Sequence, residues 1–152
     1  MRERRSYAQR SAPRRKALLL HPPLIAVGSA LLGCVFVTDL AYRQTSLFQW
    51  NNFSAWLLVG GLVVSGLAAV SLGIDALRGA VGPISWPRFG GLAVAFALSV
   101  CNAFVHSRDA WTAVAPQGLT LSAFVIVILI AVEWHGWSLR AAPKTSPAKE
   151  TK

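Results

Sequence analysis

Four apolar stretches, each long enough to cross a bilayer as a helix, constrain the fold of this 152-residue chain more than any other feature. They cover residues 22–42, 55–77, 89–106 and 118–139, and they contain no lysine or arginine. With a rise of about 1.5 Å per residue, about 20 helical residues cross the ~30 Å hydrocarbon core. None of the four shows the polar face that a helix of this length needs in water. The sequence therefore predicts an all-α fold, a four-helix transmembrane bundle.

The connections between the stretches are short, and short connections make consecutive helices run in opposite directions. We therefore expect an antiparallel, up-down-up-down bundle in a single membrane domain, residues 17–140. Residues 1–16 form a basic tail and residues 141–152 a linker-like tail, and both are too poor in apolar residues to build a core. Within the spans, small residues recur at the spacing that lets helices approach closely, as in Ser29/Gly33, Gly61/Ser65, Ala69/Gly73 and Gly91/Ala95/Ser99.

The formal net charge of +9 is distributed unevenly along the chain. Seven of the fifteen Lys and Arg residues precede the first span, two lie in the second connection and four follow the last span. With four spans, one face of the membrane thus carries thirteen basic residues and the other carries two. The positive-inside rule then predicts that both termini are cytoplasmic. Topology and attraction to anionic lipid explain the basicity, so nucleic-acid binding is not expected.

Tryptophan placement supports the same four spans. Tryptophan prefers the headgroup region of a membrane. All six tryptophans fall at the predicted interfaces and none falls in the middle of a span: Trp50, Trp56, Trp86, Trp111, Trp134 and Trp137.

The N-terminal segment also resembles a loose twin-arginine signal, because Arg14, Arg15 and Lys16 precede an apolar run. However, Pro22 and Pro23 interrupt that run early, and no small-residue cleavage site follows it. An uncleaved first span is the better interpretation.

Ionisable side chains within membrane spans are costly and are therefore candidates for function. Their predicted depths form two layers. The layer near the cytoplasmic face contains His21, Asp75, Arg78, Glu133 and His135. The layer near the opposite face contains Asp39, Arg43, Asn102, His106, Arg108 and Asp109. No ionisable residue is expected at mid-depth, which argues against a proton relay or an ion path.

Two interpretations of the acidic residues remain open. Asp39 and Arg43 are spaced i, i+4, and Asp75 precedes Arg78 by three residues, so each acid has a possible partner on its own helix face. The alternative is a binding role for Asp39, Asp75 or Glu133. Glu133 is the most suggestive, since its own span offers no cation before Arg140.

Cofactor candidates are few. A haem held by two histidines needs imidazoles from different helices at one depth, a condition that only His21 and His135 could meet. The same two residues, or the acidic residues at the ends of the spans, are the candidates for holding haem or a quinone. No metal site is expected, because Glu133 and His135 lie on different helix faces. Cys34 and Cys101 are expected to be small core residues at similar depth. No nucleophile–base set or phosphate-binding loop occurs, so no enzymatic activity is expected.

Short motifs at the ends of the spans carry a family resemblance. They are His21-Pro22, Asp39-Leu40, Asp75 after Gly73-Ile74, Asn102 followed by Arg108, and Trp134-His135-Gly136-Trp137. In these features the chain resembles the domain-of-unknown-function 2231 family of small prokaryotic membrane proteins. The resemblance implies four helices, no assigned activity and a location in the prokaryotic inner (plasma) membrane. Many members carry a histidine early in span three, where this chain has Phe89-Gly90-Gly91.

Three hypotheses for function follow. The first is a non-enzymatic structural, accessory or anchoring subunit that works in the lipid bilayer with a protein partner or as a homo-oligomer. The second is a redox-associated subunit that binds haem or quinone, an idea implied by family relatives that occur with redox modules. The third is an oligomeric small-solute transporter or channel. Asp39, Asp75, Asn102 and Glu133 are the polar residues on which a function could depend.

Overall fold

The computed structural model of the chain describes residues 20–78, 80, 86–108 and 114–141, with side chains as far as Trp134. Four long helices fill these ranges: α1 (His21–Thr45), α2 (Phe48–Leu77), α3 (Trp86–His106) and α4 (Leu119–Ala141). Each belongs to a segment long and apolar enough to cross a membrane. Because the described ranges contain no strand, the predicted all-α, four-helix membrane fold is confirmed.

Several sequence expectations fall on residues that the structure does not describe. These are the basic tail, residues 1–16, and the C-terminal tail beyond Ala141. Asp109 and Trp111 also lie outside the described residues, and so do the side chains of His135 and Trp137.

The α1–α2 connection is much tighter than the sequence indicated. Pro22 and Pro23 occupy the first turn of α1, where a missing N–H costs nothing. The helix ends at Ser46, whose left-handed backbone (φ 55°) lets its N–H donate to the carbonyl of Tyr42 at 2.7 Å. After Leu47 the chain enters α2 at Phe48, whereas the second span was predicted to begin at residue 55. The predicted connection, residues 43–54, is therefore almost entirely helical.

Side-chain pairs at both ends of the bundle show that consecutive helices are antiparallel. His21, at the start of α1, lies beside Asp75 near the end of α2, and Asp39 near the end of α1 contacts Ser54 near the start of α2. In the same way, Arg88 early in α3 contacts Glu133 late in α4. We refer to the two ends of the bundle as the His21 end and the Asp39 end.

Glycines set how closely the helices pack. On α1, a β-carbon at Gly28 would overlap Ser65 Oγ of α2, and one at Gly61 of α2 would lie 2.7 Å from Leu32 Cδ2. On α3, a β-carbon at Gly91 would overlap Val132 of α4. The bundle is thus two close hairpins, α1–α2 and α3–α4, and α2 and α3 are its most loosely packed neighbours. Between the hairpins lies an apolar core formed by Leu32, Val35, Leu58, Ala95, Val125 and Leu129.

Candidate functional site

Asp39 is fully buried at the Asp39 end of the bundle and accepts hydrogen bonds from three other helices. Its Oδ1 accepts from Ser54 Oγ of α2 at 2.6 Å and lies 3.0 Å from His106 Nε2 of α3. Its Oδ2 accepts from Ser122 Oγ of α4 at 2.8 Å. We call Asp39, Ser54, His106 and Ser122 the Asp39 cluster. Each of the four helices contributes one residue, so the cluster links all four helices by side-chain hydrogen bonds.

Thr38 extends the hydroxyl contacts around Asp39. A hydroxyl carries one proton, and the Ser54 proton is directed to the carboxyl group of Asp39. Thr38 Oγ1 donates to the backbone carbonyl of Val35 at 2.9 Å and lies 2.7 Å from Ser54 Oγ. Thr38 therefore packs its hydroxyl against Ser54 from the position next to Asp39 on α1.

The surroundings of His106 define the charge of the cluster. Its Nδ1 lies 3.1 Å from the carbonyl oxygen of Asn102, which can only accept, so Nδ1 carries a proton. A second proton lies between Nε2 and Asp39 Oδ1, whether it resides on the imidazole or on the carboxyl group. In both cases the Asp39–His106 pair has a net charge of zero. A neutral pair avoids the cost of an isolated charge at membrane depth.

Asn102 lies one helical turn from His106 and is also buried. Its backbone carbonyl orients the imidazole, and its side-chain Oδ1 has no hydrogen-bond partner among the described residues. Asn51, one turn before Ser54 on α2, is buried, and its Oδ1 likewise has no partner within the described ranges. The Asp39 end of the bundle therefore contains more buried polar atoms than its hydrogen bonds satisfy.

A second histidine–carboxylate contact lies at the His21 end. His21 Nδ1 is 3.4 Å from Asp75 Oδ2, and the Asp75 side chain is fully buried whereas that of His21 is partly exposed. Ser71, one turn before Asp75, is buried as well. This contact joins α1 to α2 at the His21 end.

Glu133 has a cation partner that its own span does not supply. Arg88 Nη2 of α3 lies 3.4 Å from Glu133 Oε1, and both side chains are partly exposed. The pair closes the α3–α4 hairpin at the His21 end. A partly exposed ion pair of this length contributes little to stability.

The structure brings together some of the predicted polar residues and separates others. Asp39, Asn102 and His106 share one layer, as expected, and His21 and Asp75 share the other. The local pairing of Asp39 with Arg43 is wrong, since Arg43 is exposed and Asp39 faces the bundle axis. The expectation of core cysteines is also wrong, because Cys34 and Cys101 are free thiols with exposed side chains.

Sequence reasoning missed the hydroxyl groups of the cluster. Thr38, Ser54 and Ser122 were not singled out, although each is buried. A weak signal existed on α2, where Ser54 lies on the same helix face as Leu58 and Gly61, both of which are buried. A polar residue on a face that packs against another helix is a candidate for an interhelical hydrogen bond.

The haem candidates His21 and His135 stay a prediction, because the side chain of His135 lies outside the described residues, and the two histidines whose side chains are described, His21 and His106, cannot ligate one haem together. His21 and His106 lie at opposite ends of the bundle, about 27 Å apart along the helix axes. Both ring nitrogens of His106 are engaged in hydrogen bonds. Within the same ranges, no group of three His, Cys, Asp or Glu side chains could hold a metal ion.

Comparison with known families adds the last observation on the site. Residues 17–145 match the family described as "Predicted membrane protein (DUF2231)". The chain belongs to this family. The match covers all four helices, so the whole bundle, including both histidine–carboxylate contacts, lies within the family domain. No curated protein and no solved structure matches the chain.

Proposed function

We propose that this protein is a non-enzymatic accessory or anchoring subunit of a prokaryotic plasma-membrane complex, with both termini in the cytoplasm. The observation that carries this proposal is the Asp39 cluster, in which each polar group binds another helix of the same chain. Groups used in this way stabilise a defined bundle. They are not free to bind and release a substrate.

The interior between the two polar ends favours this role over transport. A small-solute path needs polar groups at successive depths. The layer that separates the Asp39 cluster from the His21–Asp75 contact is formed mostly by apolar side chains, among them Leu32, Leu58 and Val125, and the described residues place no Asp, Glu, Lys, Arg or His in it. We therefore favour a scaffold over an oligomeric transporter or channel.

The outer surface of the bundle offers apolar side chains to lipid or to a partner. Each helix has an exposed valine on this surface: Val37, Val63, Val94 and Val127. A partner subunit would cover some of these positions, whereas lipid would surround all of them. The distribution of basic residues supports a cytoplasmic location for both tails, which could add contacts to anionic lipid.

Site-specific photo-cross-linking in native membranes tests the proposal. A photoreactive amino acid is placed at Val37, Val63, Val94 or Val127 of the full chain, one position at a time. We expect one or two adjacent positions to capture the same second protein, and that protein to co-purify with the chain in mild detergent. A photoreactive residue at buried Leu58 is the matched control, because it can react only within the bundle.

Two results of the same experiment would contradict the proposal. If all four outward positions react only with lipid and the chain purifies as a monomer, the accessory role is wrong. If the products contain only a second copy of this chain, the protein is a homo-oligomer that anchors no other subunit.

A further inference from the structure

A cavity of about 240 Å³ separates the two hairpins in the half of the bundle nearer the His21 end. Ser29 of α1 and Ser65 of α2 line one wall, and Phe89 and Phe96 of α3 line another. Ala69 of α2 and Ala93 of α3 also line the cavity, and both are exposed on the bundle surface. The cavity therefore opens toward the hydrocarbon region between α2 and α3, the most loosely packed pair of neighbouring helices.

The two serines differ from the other serine hydroxyls of the bundle. A serine in a membrane helix usually donates to a carbonyl one turn earlier, as Ser99 does to Ala95 at 2.8 Å. Ser29 and Ser65 donate to no residue in the described ranges, yet they line an otherwise apolar space. Ser65 Oγ lies against α1 at Gly28, the residue before Ser29, so the two serines belong to the same α1–α2 wall of the cavity. An occupant with acceptor oxygens would satisfy both donors.

We propose that this cavity binds the ring of a lipid-soluble quinone. One carbonyl oxygen of the ring, which has two lone pairs, accepts hydrogen bonds from Ser29 and Ser65, and the flat ring packs against Phe89 and Phe96. The cavity is smaller than the ~300–1,000 Å³ of a pocket that buries a whole drug-sized ligand. It holds the ring, and the isoprenoid tail leaves between α2 and α3 into the bilayer.

A saturated acyl chain fits the cavity less well chemically. It would fill the apolar space but leave both serine donors without an acceptor in a low-dielectric environment. It would also gain nothing from the flat faces of two aromatic rings. The quinone site is independent of the accessory role, because a subunit with or without a protein partner can bind quinone in this way.

Photo-labelling of the full chain in phosphatidylcholine nanodiscs tests the site. An azido-ubiquinone should label α2 or α3 near Ala69 and Ala93. Decylubiquinone should compete with this labelling. Decylbenzene, which has the same tail and a ring without oxygens, should not. Ser29→Ala and Ser65→Ala should each raise the decylubiquinone concentration needed for competition about fivefold, the effect of one hydrogen bond.

Variants that fill the cavity separate ring binding from general affinity for lipid. Ala93→Leu should abolish specific labelling, and Ala97→Leu should leave it unchanged, since Ala97 is exposed on the same helix and does not line the cavity. Ala69→Leu repeats the test from α2 if Ala93→Leu does not fold. Equal competition by decylbenzene, or full labelling of both cavity-filled variants, would overturn the proposal. So would a phospholipid that stays bound in native mass spectrometry and is not displaced by decylubiquinone.

Discussion

Replacing Asp39 with alanine removes a side chain that bonds to all three other helices. Three hydrogen bonds are lost, from Ser54, His106 and Ser122, with donor–acceptor distances of 2.6, 3.0 and 2.8 Å. Interhelical hydrogen bonds in membrane proteins contribute about 0.6 kcal/mol on average and up to about 1.7 kcal/mol each. Three such bonds correspond to a loss of about 2–5 kcal/mol in the free energy of unfolding. We expect a loss in the upper half of this range, because the Asp39→Ala variant leaves the buried imidazole of His106 without its partner.

Reversible unfolding of the full chain in mixed micelles measures this loss. The detergent is titrated with sodium dodecyl sulfate, and helix content and tryptophan fluorescence are followed. Glu133→Ala is the matched control, since it also removes a carboxylate. Its one ion-pair partner, Arg88, is 3.4 Å away and partly exposed, so the expected loss is below about 1 kcal/mol.

A double-mutant cycle isolates the contact between Asp39 and His106. His106→Ala should destabilise the bundle, and the double variant should lose less than the sum of the two single losses by about 1–3 kcal/mol. Our account of the cluster is refuted if Asp39→Ala unfolds within about 0.5 kcal/mol of the unmodified chain. It is also refuted if the two losses are simply additive.

Three further predictions concern packing, the second histidine and topology. Gly28→Ala should cost about 1–3 kcal/mol in the same unfolding assay, because its β-carbon overlaps Ser65 Oγ, whereas Gly66→Ala, with open space around it, should be neutral or stabilising. His21→Ala should cost less than Asp39→Ala, since the His21–Asp75 contact joins only α1 and α2, and an equal loss would contradict this ranking. An alkaline phosphatase fused after Lys152 should be inactive and a fluorescent protein fused there should be bright. The reverse pattern would overturn the predicted cytoplasmic C-terminus.

The number of helices and their approximate ends could be predicted because hydropathy is a property of each segment by itself. The beginning of α2 could not. Asn51 and Ser54 are polar and belonged to the predicted connection, yet they are buried in a helix. The burial of Ser54 is favourable because a carboxyl group of α1 accepts its hydrogen bond, and no property of residues 43–54 alone reveals that.

The candidate site shows even more clearly that contacts between helices cannot be predicted from one segment alone. Asp39 could be singled out, because a carboxylate in an apolar span requires an explanation. His106 could be placed in the same layer by its depth, but its pairing with Asp39 and the contact from Ser122 could not be predicted, since these residues are 67 and 83 residues away in sequence. The nearby cation, Arg43, offered a local partner by spacing, but Arg43 is exposed whereas Asp39 is buried among the other three helices. Spacing identifies which residues share a helix face, whereas the partner across the bundle depends on how the four helices associate.

The convergence of four helices on one carboxylate has a consequence for biogenesis. Asp39 enters the membrane with the first span, before Ser54, His106 and Ser122 have been synthesised. Its carboxylate is fully coordinated only after α4 docks against the other three helices. Until then, an unsatisfied acid at membrane depth disfavours every partly assembled intermediate. The last helix, α4, thus completes the Asp39 cluster. A chain truncated before α4 would carry a membrane-embedded acid without its full set of hydrogen-bond partners, which distinguishes it from the completed bundle.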